Sequence, residues 1–269
     1  PDYRQAAYVL ADGREREQNG VAVWADATSI ALATYDRVDV FGGTTYNQVT
    51  GIRLPSAHAT IGLGGIGGDS RYLYAAETYD DAVDVIRRTD WSIVTSVYIN
   101  QPYKIAVNTS YFACAGNPTR IWRKADFSLL TNLGIQAGDL YANDSCFLAG
   151  DLTSKAWKVY DAASFALATA IARPPAATQV YGGGVVGDDY LLATYSGDTS
   201  LYVHSQADFS LHTVIPGRNS AVYDSVSWGK VCAVNYGNFA GNGLRFYLTD
   251  GDWSLLTAMT GTMSESFNA

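Results

Sequence analysis

The chain has 269 residues, of which 48% are hydrophobic and 16% are charged, so it is long and apolar enough to bury a sizeable core. Its 18 basic and 26 acidic residues give a net charge of −8. This balance argues against nucleic acid as a partner, because nucleic-acid binding relies on a basic surface. The sequence has no run of 18 apolar residues, so we expect no segment that spans a membrane.

Short runs of strand-forming residues, separated by glycine, aspartate and serine, follow one another along the chain. Near the N-terminus, Ala6–Ala11 is a candidate strand, and a compact group joins Ile30–Tyr35 directly to Val38–Phe41. Three fuller groups of four runs follow, namely Ile61–Ile66, Tyr72–Ala76, Val83–Ile86 and Trp91–Thr95; Val180–Val186, Tyr190–Tyr195, Leu201–His204 and Phe209–Val214; and Val222–Ser225, Val231–Val234, Leu244–Tyr247 and Trp253–Thr257. Each group predicts a four-stranded antiparallel meander.

Six copies of an aromatic residue followed four positions later by threonine stand at intervals of 36 to 45 residues along the chain. The six copies begin at Tyr46, Trp91, Phe127, Phe165, Phe209 and Trp253. An Asp, Ser or Thr precedes each aromatic, and we expect that side chain to bond to nearby backbone amides in a turn. One aromatic in every unit predicts packing between neighbouring sheets.

A unit of about 40 residues with four short strands is typical of a blade in a β-propeller. We therefore predict an all-β chain that folds as one β-propeller domain over residues 1–269, built from four-stranded antiparallel blades. The recognisable repeats cover residues 20–258, and we expect residues 1–19 and 259–269 to supply paired strands that close the ring. The prediction is six blades, and the alternative is seven, with a minimal blade shared between the termini.

Gly62–Gly67 reads G-x-G-x-x-G, the fingerprint of a dinucleotide-binding loop. Such a loop works only where a helix follows and holds the pyrophosphate at its N-terminus, whereas the candidate strand Tyr72–Ala76 follows here. We interpret the glycines as relief of crowding in an inner strand, and we predict no cofactor.

No motif of a catalytic or metal site is recognisable in the sequence. The histidines His58, His204 and His212 lack metal-ligand spacing, and no G-x-S-x-G nucleophile motif occurs. The sequons at Asn108 and Asn143 are a weak glycosylation signal. We therefore predict no catalytic, cofactor-binding or metal-binding residues, and the sequence leaves the binding surface unassigned.

Acidic pairs and cysteines have structural explanations. Asp80 with Asp81, and Asp188 with Asp189, fall in predicted loops, where a solvated turn is favoured over a calcium site. Three widely spaced cysteines lie in apolar runs, which predicts free, buried thiols rather than a disulfide framework. They are Cys114, Cys146 and Cys232.

Two of the units end in the sequence D-W-S-x-x-T, at Asp90–Thr95 and Asp252–Thr257. Together with Val231–Val234 and Trp157–Tyr160, which fill the preceding strand positions, they resemble the WD40-like propeller repeats of bacteriophage tail and virion proteins. The resemblance covers the recognisable repeats. It departs from the family because the usual S-P-D-G turn is absent and only Gly187–Asp189 approximates it. The W-D and G-H dipeptides of eukaryotic repeats are also absent, which makes a signalling scaffold less apt.

The resemblance implies a non-enzymatic structural or binding module of a bacteriophage virion, in the tail or associated with the capsid. Its partners would be other virion or surface proteins, or host-surface glycan, within a larger assembly, with no nucleic acid and no membrane span. The alternative is a secreted or cell-surface bacterial propeller with adhesion or calcium-dependent hydrolase or lyase activity. We expect function to lie in the loops where the copies differ, at residues 11–20, 77–82, 196–200 and 236–243.

Overall fold

The structure is a computed structural model that describes residues 22–34, 37–55, 61–78, 80–175, 177–198, 200–216, 222–228, 231–236, 243–249 and 253–260. These residues form 24 β-strands. Within the same ranges, no helix is long and apolar enough to cross a lipid bilayer.

The strands group into six four-stranded sheets, numbered 1 to 6 in chain order. Sheets 1 to 3 contain β1 (Ala22–Ala25), β2 (Ser29–Thr34), β3 (Arg37–Gly42) and β4 (Gln48–Arg53); β5 (Ile61–Gly68), β6 (Tyr72–Glu77), β7 (Ala82–Arg87) and β8 (Ile93–Tyr98); and β9 (Ile105–Val107), β10 (Tyr111–Cys114), β11 (Arg120–Arg123) and β12 (Leu129–Asn132). Sheets 4 to 6 contain β13 (Ala137–Ala142), β14 (Cys146–Asp151), β15 (Ala156–Asp161) and β16 (Leu167–Ile171); β17 (Gln179–Val186), β18 (Tyr190–Ser196), β19 (Leu201–Ser205) and β20 (Leu211–Ile215); and β21 (Val222–Trp228), β22 (Val231–Tyr236), β23 (Gly243–Leu248) and β24 (Leu255–Thr260).

Each sheet is an antiparallel meander of four consecutive strands, called A, B, C and D here in chain order. This confirms the predicted four-stranded repeat, and β1 adds an A strand that the sequence analysis left out of the first copy. Sheets 1 and 2 belong to one compact unit, and sheets 3 to 6 belong to a second. The candidate strand Ala6–Ala11 and the segments 1–19 and 261–269 lie outside the described residues, so closure by the termini stays a prediction.

The D strands begin later than the sequence predicted. In sheet 5 the predicted strand started at Phe209, but β20 starts at Leu211, and Phe209 lies in the loop before it with a φ of 60°. All six repeated aromatics have this left-handed conformation, with φ between 54° and 60°. Left-handed backbone costs a residue with a side chain about 1 kcal/mol or more, so a compensating contact must hold each ring in place.

A β-bulge at the start of each D strand explains the fixed spacing between the aromatic and the threonine. In sheet 2, Ile86 of the C strand pairs with Ile93. The preceding C-strand residue, Val85, pairs with Thr95, so Val94 is an extra residue. The other five C–D pairs show the same shift. The threonine is therefore the first residue after the bulge, where a β-branched side chain suits the restored strand.

Two glycines of the A strands, Gly183 and Gly68, lie against large side chains from the preceding sheet. Trp157 of sheet 4 is fully buried, and its Nε1 donates to the carbonyl oxygen of Thr194 at 3.2 Å. A Cβ on Gly183 of sheet 5 would lie 2.8 Å from Cη2 of Trp157 and 2.9 Å from the Leu192 carbonyl oxygen. Glycine at this position therefore avoids a clash with a tryptophan ring and a neighbouring strand.

The G-x-G-x-x-G segment, Gly62–Gly67, lies inside strand β5, and the next element is strand β6. Because no helix follows the segment, it cannot hold a pyrophosphate at a helix N-terminus. At the end of β5, a Cβ on Gly68 would lie 2.9 Å from Cε2 of Trp24 in sheet 1. This strand is therefore also shaped by its contact with the preceding sheet.

Candidate functional site

Each sheet has two ends of different character. The A–B turn and the C–D loop lie at one end, called the uniform end, while the B–C turn and the connection to the next sheet lie at the other, the variable end. In sheets 1 to 5, every A–B turn has three residues and every C–D loop has five. The connections at the variable end range from two to seven residues.

An Asp or Asn side chain organises the A–B turn at the uniform end of sheets 1 to 4. Asp26 Oδ1 accepts hydrogen bonds from the amides of Thr28 and Ser29 at 2.8 and 2.9 Å. Asp69, Asn108 and Asn143 accept the equivalent pairs of bonds. In sheets 1 to 5, the first amide of the C–D loop also donates to a carbonyl of the A–B turn, at 2.8 to 3.0 Å. Turn and loop therefore form one rigid unit.

At three of the described copies an Asp before the repeated aromatic caps its loop, as the sequence predicted. Asp90 Oδ1 accepts from the Ser92 hydroxyl at 2.7 Å and from the Ser92 amide at 3.1 Å, and Asp126 and Asp208 make the same bonds to the serine two positions on. These bonds hold the pKa of the Asp90 carboxyl below its usual value. Asp252, which precedes the last repeated aromatic, lies outside the described residues.

Three of the left-handed aromatic rings contact the preceding sheet. Phe165 of sheet 4 meets Tyr111 of sheet 3 edge-on, with ring centroids 5.2 Å apart. Trp253 of sheet 6 is 3% exposed and meets Tyr190 of sheet 5 in the same way at 5.4 Å. Phe209 of sheet 5 packs on a cluster that includes sheet 4 residues. The predicted packing between neighbouring sheets is thus confirmed at these positions, and it supplies the contact that offsets the backbone cost.

A buried arginine joins the uniform ends of sheets 1 and 2. The Arg88 side chain is 7% exposed. Its Nη1 donates to Asp26 Oδ2 at 2.7 Å and to the carbonyl oxygen of Asp69. Its Nη2 donates to the hydroxyls of Thr28 and Ser29 at 2.8 and 3.2 Å. We call these five residues the Arg88 cluster.

An aromatic contact and an ionised carboxylate both stabilise the position of the Arg88 guanidinium. The guanidinium carbon lies 4.8 Å from the centroid of the Trp24 ring, within cation–π range. Burial opposes ionisation of Asp26, but the hydrogen bonds from Arg88 and from Thr28 outweigh it and hold the pKa of that carboxyl below its usual value. The ionised pair is therefore a structural contact between two sheets.

In the second compact unit, the A–B turns of sheets 3, 4 and 5 bond directly to one another. Asn108 Nδ2 donates to the carbonyl oxygen of Asn143 at 3.1 Å, and Asn143 Nδ2 donates to that of Gly187 at 2.7 Å. The amide and hydroxyl of Thr109 both donate to Asp144, each at 2.7 Å. The side-chain nitrogens of both sequon asparagines are thus engaged, and a glycan at either one would break these bonds.

Unusual backbone outside the repeat lies at the variable end. Among the described residues, nine that are not glycine have positive φ, and six of them are the repeated aromatics. The other three are Asp81 and Gln101 in sheet 2 and Lys155 in sheet 4, all in variable-end connections. Non-glycine residues in this conformation persist where surroundings hold them, and they cluster at ligand sites.

Two loops are tied together at the variable end of sheet 2. Asp81, in the B–C turn, accepts from the amide of Ile99 at its carbonyl oxygen and from the amide of Gln101 at Oδ1, both at 2.8 Å. The Thr78 hydroxyl donates to the carbonyl oxygen of Pro102 at 2.9 Å. The predicted functional loop 77–82 is thus joined to residues 99–104, which the sequence analysis did not single out.

The remaining histidines and acidic residues considered in the sequence analysis do not come together in one site within the described residues. His204 is 9% exposed, and burial lowers its pKa despite a contact of Nδ1 with the Phe209 carbonyl at 3.2 Å. The His212 ring packs at a tilt of 48° against Tyr190, with centroids 5.0 Å apart, and His58 lies outside the described residues. In the described parts of the chain, no three His, Cys, Asp or Glu side chains come close enough to hold a metal ion. Asp188 accepts from Asn143 Nδ2 at 3.2 Å within the turn contacts of sheets 4 and 5.

All three cysteines are free and buried, as the sequence predicted. Burial raises the pKa of Cys232 to about 12, and burial together with the charges of Asp188 and Asp161 raises that of Cys146 to about 12. A cavity of about 200 Å³ reaches Cys146 between sheets 4 and 5, lined also by Gln206 and Phe209 at the uniform end.

The thiols are expected to stay inert in the folded protein. At pH 8 a pKa of about 12 leaves roughly one in 10⁴ of the Cys146 and Cys232 thiols ionised. A thiol with the ordinary pKa near 8.5 would be about a quarter ionised at that pH. Labelling with a chromogenic disulfide reagent at pH 8 should therefore follow global unfolding, and all three thiols should react at once in denaturant. Rapid labelling of even one equivalent under native conditions, at a rate independent of protein stability, would contradict this burial.

Comparison with known proteins defines the fold class. No family model matches the chain, and no curated protein sequence matches it. Solved structures do match: the U3-55K structure superimposes with a TM-score of 0.74 at 11% identity, covering 93% of this chain and 85% of that one. A chain of the mitotic checkpoint complex gives 0.75 at 11% identity, with coverage of 91% and 77%. The computationally designed Ika8 protein gives 0.70 at 12% identity, with coverage of 91% and 76%.

The U3-55K and mitotic checkpoint matches are WD40 β-propeller proteins, and this chain shares their fold. The six four-stranded antiparallel sheets are thus propeller blades, and the predicted fold class is confirmed. At 11–12% identity the likeness concerns the fold alone.

Proposed function

We propose that the chain is a non-enzymatic binding module of a bacteriophage virion, in the tail or associated with the capsid. It contacts other virion proteins or host-surface glycan through the variable ends of its sheets. The propeller fold supports the general role of an interaction module. The D-W-S-x-x-T segments at Asp90–Thr95 and Asp252–Thr257 support the virion context by their resemblance to phage repeats.

The contrast between the two ends of each sheet carries the proposal. The uniform end repeats the same turn lengths in sheets 1 to 5 and the same left-handed aromatics in all six sheets, and polar side chains of its turns bond between neighbouring sheets. The variable end differs from sheet to sheet in length and sequence. Loops free of a repeated structural task, on a rigid scaffold, are where binding residues concentrate.

Immunogold labelling of purified virions from the encoding phage tests this role. The antibody is raised against the purified chain, and we expect gold at a fixed place on the tail or capsid of most particles. An antibody against a known virion protein serves as the matched control for labelling efficiency. If that control decorates the particles while the antibody against this chain leaves them bare, the virion assignment is wrong.

A further inference from the structure

The cavity between sheets 4 and 5 lies where the repeat places a tyrosine ring in other sheets. Three of the B strands begin with a tyrosine, namely Tyr72, Tyr111 and Tyr190. In sheet 4 the first residue of the B strand is Cys146. Tyr190 of sheet 5 meets Trp253, the left-handed aromatic of sheet 6, edge-on at 5.4 Å. The equivalent pair, Cys146 and Phe209, lines the cavity of about 200 Å³.

The neighbours of Tyr190 show which space its ring occupies. Besides Trp253, the ring packs against His212 of its own sheet, with centroids 5.0 Å apart. His212 lies three residues after the repeated aromatic of sheet 5, and the residue at that position in sheet 4 is Ala168. Ala168 lines the cavity. The cavity therefore has the two neighbours that the Tyr190 ring has, and it is open because Cys146 and Ala168 are small.

Buried residues form the floor of this cavity and exposed residues form its rim. Val159 is fully buried, Cys146 is 3% exposed and Gln206 is 9% exposed. Ser145 and Asp161 are exposed, so a ligand can enter from solvent without separating the two sheets. A dry cavity of roughly 150 Å³ is enough to bind a benzene ring. The space between sheets 4 and 5 is large enough for one substituted ring.

The lining combines an apolar wall with one hydrogen-bonding side chain. Val159 and Phe209 offer the apolar contacts, and water beside such groups is displaced favourably by an aromatic ring. Gln206 Oε1 accepts from Asn143 Nδ2 at 3.1 Å, whereas Gln206 Nε2 reaches Asn143 Oδ1 only at 3.5 Å. Because an amide nitrogen carries two donor hydrogens, Gln206 can also donate to a ligand hydroxyl.

The charges around the cavity disfavour an anionic ligand. Hydrogen bonds from Ser164 hold the pKa of the Asp161 carboxyl below its usual value, so this lining residue is ionised at neutral pH. Burial, together with the charges of Asp188 and Asp161, raises the pKa of the Cys146 thiol to about 12. The field of these carboxylates at the cavity floor is therefore negative, which suits a neutral ligand better than an anion of the same shape.

We propose that this cavity is a binding site for a small uncharged phenol. The ring of the phenol takes the place that the Tyr190 ring has in sheet 5 and packs against Phe209, and its hydroxyl accepts from Gln206. The site is independent of the proposed function, because it lies at the uniform end and the proposed contacts lie at the variable ends.

Titration with para-cresol, which is the tyrosine side chain as a free molecule, tests the site by NMR of the full chain at pH 7. The wild type should bind with a Kd of roughly 1 mM or tighter, as a ligand of this size can. Cys146→Ala keeps the cavity open and should bind with similar affinity. Cys146→Tyr fills the cavity with its own ring, so it should bind about tenfold more weakly or not at all, with a melting temperature at or above that of the wild type.

Ala168→Leu keeps the test decisive if Cys146→Tyr fails to fold. Ala168 is exposed, and leucine stands at the same repeat position in two other sheets, at Leu130 and Leu256. The larger side chain narrows the cavity and should weaken para-cresol binding about threefold or more. The charge argument has its own arm, because para-methylbenzoate should bind the wild type about tenfold more weakly than para-cresol does.

The site is wrong if the wild type shows no saturable binding of para-cresol, or if the folded cavity-filling variants bind it as tightly as the wild type. Equal affinity for para-methylbenzoate would overturn the assignment to an uncharged ligand. Binding of N-acetyltyrosinamide without binding of para-cresol would overturn the free phenol in favour of a tyrosine side chain from a protein partner. The virion labelling experiment is unaffected by each of these results, so failure of this site and failure of the proposed function are distinguishable.

Discussion

Replacing Trp253 with alanine is expected to lower the free energy of unfolding by about 4 kcal/mol, and replacing it with glycine by only about 3 kcal/mol. The large loss follows from removing a ring that is 3% exposed and packs on the preceding sheet. In ordinary strands glycine destabilises more than alanine, and here the order is reversed. The reason is that Trp253 has a φ of 54°, which glycine adopts freely and alanine adopts only at a cost in free energy. Chemical denaturation monitored by circular dichroism measures both values.

Leu255, two residues further on, is the matched control for the Trp253 prediction. It lies in strand β24 and is 53% exposed, so both replacements should cost little and glycine should cost more than alanine, as in ordinary strands. If glycine proved worse than alanine at position 253 too, the left-handed conformation would be wrong.

Trp253→Phe should change the unfolding free energy by less than about 1 kcal/mol. The Trp253 Nε1 is buried and has no hydrogen-bond partner among the described residues, so phenylalanine loses ring area but also removes an unsatisfied donor. Phenylalanine occupies this place in three other repeats, at Phe127, Phe165 and Phe209. The same denaturation experiment measures this variant, and a loss as large as that of alanine would contradict the repeat equivalence.

Replacing Arg88 with alanine is expected to destabilise the fold by about 3 kcal/mol, because it removes a buried guanidinium that four acceptors share. Asp26 would lose its partner but keep the amide bonds of its own turn, which limits the penalty. Arg88→Lys should fall between the wild type and alanine, since an ammonium keeps the charge but cannot reach both sets of acceptors. Thermal and urea unfolding at neutral pH measure the series.

The neighbouring arginine provides an internal control for this effect. Arg87 pairs with Asp90 at 3.2 Å, but the two side chains are 45% and 51% exposed. Exposed ion pairs contribute little, so Arg87→Ala should cost about 0.5 kcal/mol or less. Equal losses at positions 87 and 88 would show that the Arg88 cluster is not a buried contact.

The repeat made the architecture predictable, because strand periodicity and turn residues are local signals. The four strands of sheet 5 were predicted to within about two residues at most boundaries, and the packing of the aromatics on neighbouring sheets was foreseen. The strand start at Phe209 was wrong for a physical reason. An aromatic residue has high strand propensity, and only contact with another sheet makes a left-handed conformation favourable for it.

Contacts between sheets were not predictable in the same way. Arg88 bonds to Asp26 across 62 positions of the chain, and nothing near Arg88 in the sequence indicates its partner. The A–B turn residues carried a signal that could have been read: Asp26, Asp69 and Asn108 each stand three residues before the first residue of a B strand. Gln101 is different again, because its left-handed conformation becomes visible only in the backbone angle.

If the proposed function is right, the uniform ends of the sheets build the scaffold and the variable ends are free to carry binding residues. A proteolysis-based stability scan of all single substitutions measures this directly without knowledge of the ligand. We expect the most sensitive loop positions to be those of the uniform end, including Asp26, Asn143, Arg88 and the six left-handed aromatics. Substitutions of exposed variable-end residues such as Asp80, Tyr98 and Gln101 should leave stability nearly unchanged. Equal sensitivity at the two ends would show that the sheets do not divide scaffold and binding residues in this way.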